Sequence, residues 1–234
     1  MLILAVDTSG KQGSIALGRG DATSFELIES IPVAGGTFSA QLIPAIAALL
    51  TRHGIAKKKL EGLAAASGPG SFTGLRVGLA AVKGLGETLR KPIASVSILE
   101  ACADMQARGG SAGEIGTGQM LVALDASRGD IFLGKFTFHD AGNRLHCLEE
   151  SIMSREEFAR YLGGNASQRV CSPDEGVIHF LAAQGIVVTQ IPRPASAEIA
   201  RLGLQKIAAG DTVTPEALDA NYIRRAEFTK VGAR

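Results

Sequence analysis

The chain carries the same opening twice. Leu2 to Ser9 read L-I-L-A-V-D-T-S, and Met120 to Ser127 read M-L-V-A-L-D-A-S. Aligned without gaps, Ala5 falls on Ala123, Asp7 on Asp125 and Ser9 on Ser127. Each copy is an apolar strand that stops at an aspartate and a hydroxyl residue. A turn follows (Gly10 to Gly13; Arg128-Gly129-Asp130), then a second strand, Ser14 to Gly18 in one copy and Ile131 to Lys135 in the other. A repeated strand–turn–strand opening in 234 residues points to two lobes built to one plan.

The remainder of each half continues the plan. In the first, a strand is expected over 24–31 and a helix over 39–52, with Phe38, Leu42, Ile46 and Leu49 at helical spacing and Pro44 near the first turn or at a kink. A small-residue strand (62–67), a long helix (71–90), a strand (92–96) and a helix (97–108) complete it. In the second, strands at 145–152, 169–172 and 186–191 alternate with helices at 155–162, 176–183 and 196–209. The Gly/Ser-rich stretch 109–118 divides lobes 1–108 and 109–234. The expected class is α/β, with a mixed sheet flanked by helices in each lobe. Three strands followed by alternating helices and strands, done twice, resembles the actin-like ATPase (ASKHA) fold, in which a nucleotide lies between the lobes.

The least ordinary segment is Ser67-Gly68-Pro69-Gly70-Ser71-Phe72-Thr73-Gly74-Leu75-Arg76-Val77-Gly78. It joins a strand to a helix, where backbone N–H groups commonly receive anions. No Gly-Lys-Ser/Thr follows, so it is not a P-loop. Pro69 stands where a nucleophile elbow needs its first glycine, which leaves Ser71 as an N-cap. Along the helix, Phe72, Leu75, Leu79, Val82 and Leu89 form an apolar stripe, while Gly74, Gly78 and Ala81 form a smooth one. Helical glycine costs up to ~1 kcal/mol, so the smooth stripe implies close backbone approach, by an element of the same lobe or by a partner's helix.

Charge nearly cancels, at +1 overall, which argues against a chain that grips nucleic acid unaided. The short cluster Arg224, Arg225, Lys230 and Arg234 reads as a solvated tail. Cys102, Cys147 and Cys171 lack metal or redox spacing and suit reduced thiols in the cytoplasm. No basic leader precedes the first strand, and no run approaches the roughly 20 apolar residues of a membrane span. His53, His139, His146 and His179 form no ligand pattern, so no metal site is expected, and no nucleophile–base pair appears. Asp7 and Asp125 either orient a metal and water at phosphates or cap their own hairpins, and the second reading is preferred. Gly163-Gly164-Asn165 is more simply a helix end than an adenosine loop.

Val6-Asp7-Thr8-Ser9, the run Gly68 to Gly78, Leu124-Asp125-Ala126-Ser127-Arg128-Gly129 and Leu218-Asp219-Ala220-Asn221-Tyr222-Ile223-Arg224-Arg225 together resemble the TsaB (YeaZ) family, in the same order along the chain. That resemblance implies a non-catalytic dimerisation subunit for tRNA threonylcarbamoyladenosine biosynthesis. Its implied partners are a catalytic TsaD-like paralogue and a TsaE-like ATPase, with a homodimer when alone and tRNA met only through the complex. Pairing through N-lobe helices would use Phe38, Leu42, Phe72, Gly74, Leu75, Gly78 and Ala81. Asp7, Thr8, Ser9 and Asp125 would line a vestigial cleft whose ATP or ADP binding is weak and shared with partners; no other cofactor is implied. Phe38-Ser39-Ala40 replaces the His-Ser-Glu common among relatives. A small-molecule kinase of the same fold and a glycoprotease-like peptidase are the competing readings.

Overall fold

The computed structural model describes residues 1–109, 119–139, 144–163 and 168–223. The opening strand β1 (Leu2–Asp7) hairpins into β2 (Gly13–Gly20), which pairs with β3 (Phe25–Val33). Helix α1 (Phe38–Arg52) leads through a single 3-10 turn (Lys57–Lys59) to β4 (Gly62–Gly68). Helix α2 (Phe72–Leu89), β5 (Ile93–Ser97) and α3 (Ile98–Gly109) follow. The sheet order is β3-β2-β1-β4-β5, with β1 antiparallel to β2 (Leu4 opposite Leu17) and parallel to β4 (Leu4 opposite Leu63).

The second half repeats this wiring. Strands β6 (Gln119–Asp125), β7 (Asp130–His139) and β8 (Arg144–Ser154) precede α4 (Arg155–Gly163), β9 (Arg169–Ser172), α5 (Glu175–Ala182), β10 (Val188–Gln190) and α6 (Ser196–Ala208). Read from its own edge, the order β8-β7-β6-β9-β10 is that of the first sheet. Leu124 pairs with Phe132 as Val6 pairs with Ile15, so the duplication holds at the level of register. All but Gly109 of the expected glycine-rich divider (109–118), the C-terminal cluster from Arg224 on and most of Gly163-Gly164-Asn165 lie outside the described residues.

Apolar residues of β1, β4, β5, β6 and β9 share one core with α3 and α6. Helix α6, which sequence order puts in the second lobe, lies across β1, β2, β4 and β5 of the first sheet. It approaches so closely because position 203 is glycine: a Cβ there would stand 2.4 Å from the Cβ of Ala64. Helix α3, from the first half, packs against β6, β7 and β8 as well as β4 and β5. Lys206 of α6 reaches Glu100 of α3 at 3.3 Å, and Arg201 pairs with Asp104. The last described segment also returns to the first sheet: Val213 N donates to Ile93 O at 2.9 Å, and Asn221 N to Ser67 O at 2.7 Å. Leu218 is fully buried beneath it. Pro44 sits inside α1 on its exposed side, further along than its first turn.

Candidate functional site: an inter-lobe cleft and a helical groove

The strand ends that carry the repeated aspartates face each other across a cleft of about 1470 Å³. Asp7 is 5% exposed, and its Oδ1 accepts from Ser9 N at 2.8 Å. Burial raises its carboxyl above the usual range, opposed by the Ser9 hydrogen bonds and the Arg193 guanidinium. On the other wall Asp125 is exposed, and its Oδ1 accepts from Ser127 N at 3.1 Å. The same Asx geometry thus closes both hairpins, as the capping reading expects. Asp125 is also engaged from the side, since Arg155 Nη2 donates to its Oδ1 at 2.9 Å.

Two cleft residues gave no signal in the sequence. Asp174, at the start of α5, accepts from Asp125 N at 2.7 Å through Oδ2 and from Arg193 at 2.9 Å through Oδ1. Arg193 follows the short strand β10 in a proline-flanked loop, so no periodicity marks it. Two ion pairs therefore stand side by side on this wall, Arg155 with Asp125 and Arg193 with Asp174, and Asp7 lies within the field of Arg193. Thr8, expected at the cleft, instead turns into the first lobe, where its hydroxyl donates to Gly74 O at 2.8 Å. Ser9 and Asp125 line the cleft with Asp7.

The loop from Gly68 to Ser71 is fastened to the first hairpin, with Ser71 N donating to Ser9 O at 2.7 Å. Ser71 caps α2, its Oγ accepting from Gly74 N at 3.3 Å. Glu150 of β8 receives hydrogen bonds from Ser97 Oγ and Asn221 Nδ2, and burial raises its carboxyl. Tyr222 stacks on Phe72 at 5.3 Å between ring centroids, and Arg76 lies 3.7 Å over Phe72 while donating to the Tyr222 hydroxyl at 3.0 Å. Among the described residues no group of three His, Cys, Asp or Glu could hold a metal ion, and no helix is long and apolar enough to cross a membrane.

A second concavity, about 660 Å³, runs between α1 and α2 on the outer face of the first lobe. Phe38, Leu42, Phe72 and Ala81, all expected at an interface, line it. Ile43, Val77, Ala80, Gly84 and Leu85 line it too, and Ile43 and Phe72 are 52% and 54% exposed. Three of the expected interface residues lie elsewhere. A Cβ on Gly74 would stand 2.1 Å from Thr8 O, and one on Gly78 2.2 Å from Thr8 Oγ1. Leu75 is 1% exposed and belongs to the lobe's core. The two glycines of the smooth stripe therefore let α2 lie against the end of β1, while Ala81 belongs to the outward face, the next one around the helix.

The duplicated lobes, the shared helical layer and the aspartate-tipped hairpins facing a cleft define a protein of the actin-like (ASKHA) class. The family model of TsaD, tRNA N6-adenosine threonylcarbamoyltransferase, matches residues 32–223. The tRNA threonylcarbamoyladenosine biosynthesis protein TsaB of Bacillus subtilis is 30% identical over 239 residues, covering 97% of this chain and 96% of that protein. The chain belongs to the TsaB (YeaZ) family. Its fold matches YeaZ from Pseudomonas aeruginosa with a TM-score of 0.73 at 23% identity, over 94% of this chain and 99% of that one. A putative N-acetylmannosamine kinase from Listeria monocytogenes shares the architecture with a TM-score of 0.50 at 11% identity, over 90% of this chain and 100% of that one.

Proposed function

We propose that this chain is a non-catalytic subunit in cytoplasmic tRNA threonylcarbamoyladenosine biosynthesis, and that it pairs through the α1–α2 groove with a TsaD-like paralogue. A TsaE-like ATPase docks on the pair, and tRNA meets the chain only within that assembly. The observation that carries the reading is the groove itself. Ile43 and Phe72 stand half-exposed on neighbouring helices, with Ala80, Ala81 and Gly84 between them leaving room for a close helix. A contiguous apolar surface of this kind is characteristic of an interaction site. A paralogue of the same fold presents a matching helix pair, and a second copy of this chain does so when the paralogue is absent.

The state of the cleft fits a subunit that does not itself catalyse. Asp125 and Asp174, the cleft carboxylates of the second lobe, are already held by Arg155 and Arg193. A nucleotide entering alone must displace those pairs, so ATP or ADP binds weakly unless a partner contributes contacts.

Co-purification of the chain with its paralogue tests the pairing, and Ile43→Glu is the discriminating variant. The side chain is half in solvent, so folding stability should change by no more than about 0.5 kcal/mol. Burying its unpaired charge against a partner costs several kcal/mol, and each 1.4 kcal/mol is tenfold, so pairing should weaken at least about a hundredfold. An Ile43→Glu chain that pairs like the wild type places the interface elsewhere.

A further inference from the structure

At the end of the first lobe opposite the cleft, where Asp21, Glu61 and Asp211 also lie, two short segments carry a run of positive charge that the overall balance conceals. Residues 52–59 and 90–91 hold six Lys and Arg and no Asp or Glu. The topology gathers them at one end. Strands β1, β4 and β5 run parallel, so their C-terminal ends meet the cleft and their N-terminal ends lie at the far side. The 3-10 turn Lys57–Lys59 enters β4 there, and Arg90-Lys91 enters β5 beside it, the two strand starts being joined by Leu63 N donating to Pro92 O at 3.0 Å.

The local chemistry leaves this charge unspent. Lys57, Lys58 and Lys59 are exposed, and none makes an ion pair among the described residues. Glu61, the nearest carboxylate in sequence, already accepts from Leu2 N at 2.7 Å and lies 4.0 Å from the N-terminal ammonium. Arg52 differs, because Glu29 holds it together with His53. Arg90 sits at the C-terminal end of α2, where the helix dipole gives a cation a local role. No such role exists for three consecutive lysines on one 3-10 turn.

We propose that Lys57, Lys58 and Lys59, with Arg90 and Lys91 beside them, are a contact for the phosphodiester backbone of the tRNA held by the assembled complex. The inference rests on the proposed pairing for its RNA. Nothing in the patch reads bases: lysine ammonium groups meet phosphate as point charges. Binding here is sequence-independent and salt-sensitive, and it is weak in the isolated chain because one short patch acts alone. The patch lies beyond the Gly84–Leu85 end of the α1–α2 groove, so a partner seated in that groove leaves it open.

The test is tRNA binding, with an unmodified transcript as probe, by the wild-type pair and by a pair carrying Lys57→Glu, Lys58→Glu and Lys59→Glu together. Each phosphate contact contributes about 0.7–0.9 to the slope of log K against log salt, so the slope should flatten by about 2. Affinity at low salt should fall about tenfold or more, and Lys→Arg at the three positions should retain it. Unchanged affinity and slope in a pair that still assembles would overturn the proposal and leave the lysines as solvated surface. So would charge-dependent binding to phosphatidylserine vesicles that the triple variant loses while its tRNA affinity stays the same. If the wild-type chain does not pair at all, the proposed function fails instead. The patch is then judged on the isolated chain, where the weak tRNA binding must still drop in the triple variant.

Discussion

Replacing Gly74 by alanine separates an internal role for the smooth stripe of α2 from an intermolecular one. Alanine is the better helix former by up to ~1 kcal/mol, so on a free surface the change should stabilise. In the folded lobe the new Cβ would lie 2.1 Å from Thr8 O, a backbone atom that cannot rotate away. Either α2 lifts from β1, or the strand end shifts and the Thr8 hydroxyl loses its 2.8 Å bond to Gly74 O. Overpacking of this kind costs typically ~1–3 kcal/mol, and a buried hydrogen bond about 1 kcal/mol more. After subtracting the propensity gain, the net loss is about 1–3 kcal/mol. For a chain of this size that lowers Tm by roughly 2–4 °C per kcal/mol. Gly84→Ala is the internal control, because nothing stands within 4 Å of a Cβ there; Tm should hold or rise. Thermal and urea unfolding of both variants give the answer. A Gly74→Ala chain as stable as the wild type that no longer pairs with its paralogue would refute the packing argument and return this stripe to the interface.

Two further outcomes follow from buried groups. The native carboxyl of Asp7 titrates above its unfolded value, so the native state binds the extra proton between the two, and stability falls as pH rises through that window. Asp7→Asn removes this loss while its amide oxygen still accepts from Ser9 N; urea melts at pH 4 and pH 7 should show the variant gaining on the wild type at the higher pH, and a constant difference would contradict it. Among the thiols, burial pushes Cys171 up to about 12 and Cys102 higher still, whereas exposed Cys147 sits at about 11. An aromatic disulfide reagent at pH 8 should therefore label Cys147 slowly, and the other two only on unfolding.

The repeated Leu2–Ser9 and Met120–Ser127 segments were enough to read two lobes built to one plan, because a buried strand ending at a turn is a local pattern; the strand order within each sheet came from the structure. Almost every element lies within two residues of where periodicity puts it; the exception is β7, which runs on to His139 where the expected strand stops at Lys135. The helical groove was half legible. Phe38, Leu42, Phe72 and Ala81 lie in it, while Gly74 and Gly78 face Thr8. Spacing along α2 says that a small-residue face is approached, but both a strand and a partner helix demand small residues, so pattern cannot name the neighbour. Arg193 and Asp174 were invisible for a different reason: one sits in a loop and the other at a helix start, and only the fold brings them beside Asp125. The lysines at 57–59 were visible in the sequence, but the balanced total charge hid their segregation to one end.

Helices α3 and α6 each leave the half in which they are encoded to cover ground shared with the other. Duplication produced two copies of one plan, and the crossing helices then made each copy dependent on its twin. A chain ending at Gly109 would leave the α6-facing side of the first sheet, with Ile3, Ala5, Ala64 and Ala94, open to water. The second sheet without α3 would be bare in the same way. The two halves are thus parts of a single cooperative unit, and the way the aspartate-tipped hairpins face one another is tied to the packing of two helices. Glu100, Asp104, Arg201 and Lys206 tie those two helices together, so they hold a seam on which both lobes rest.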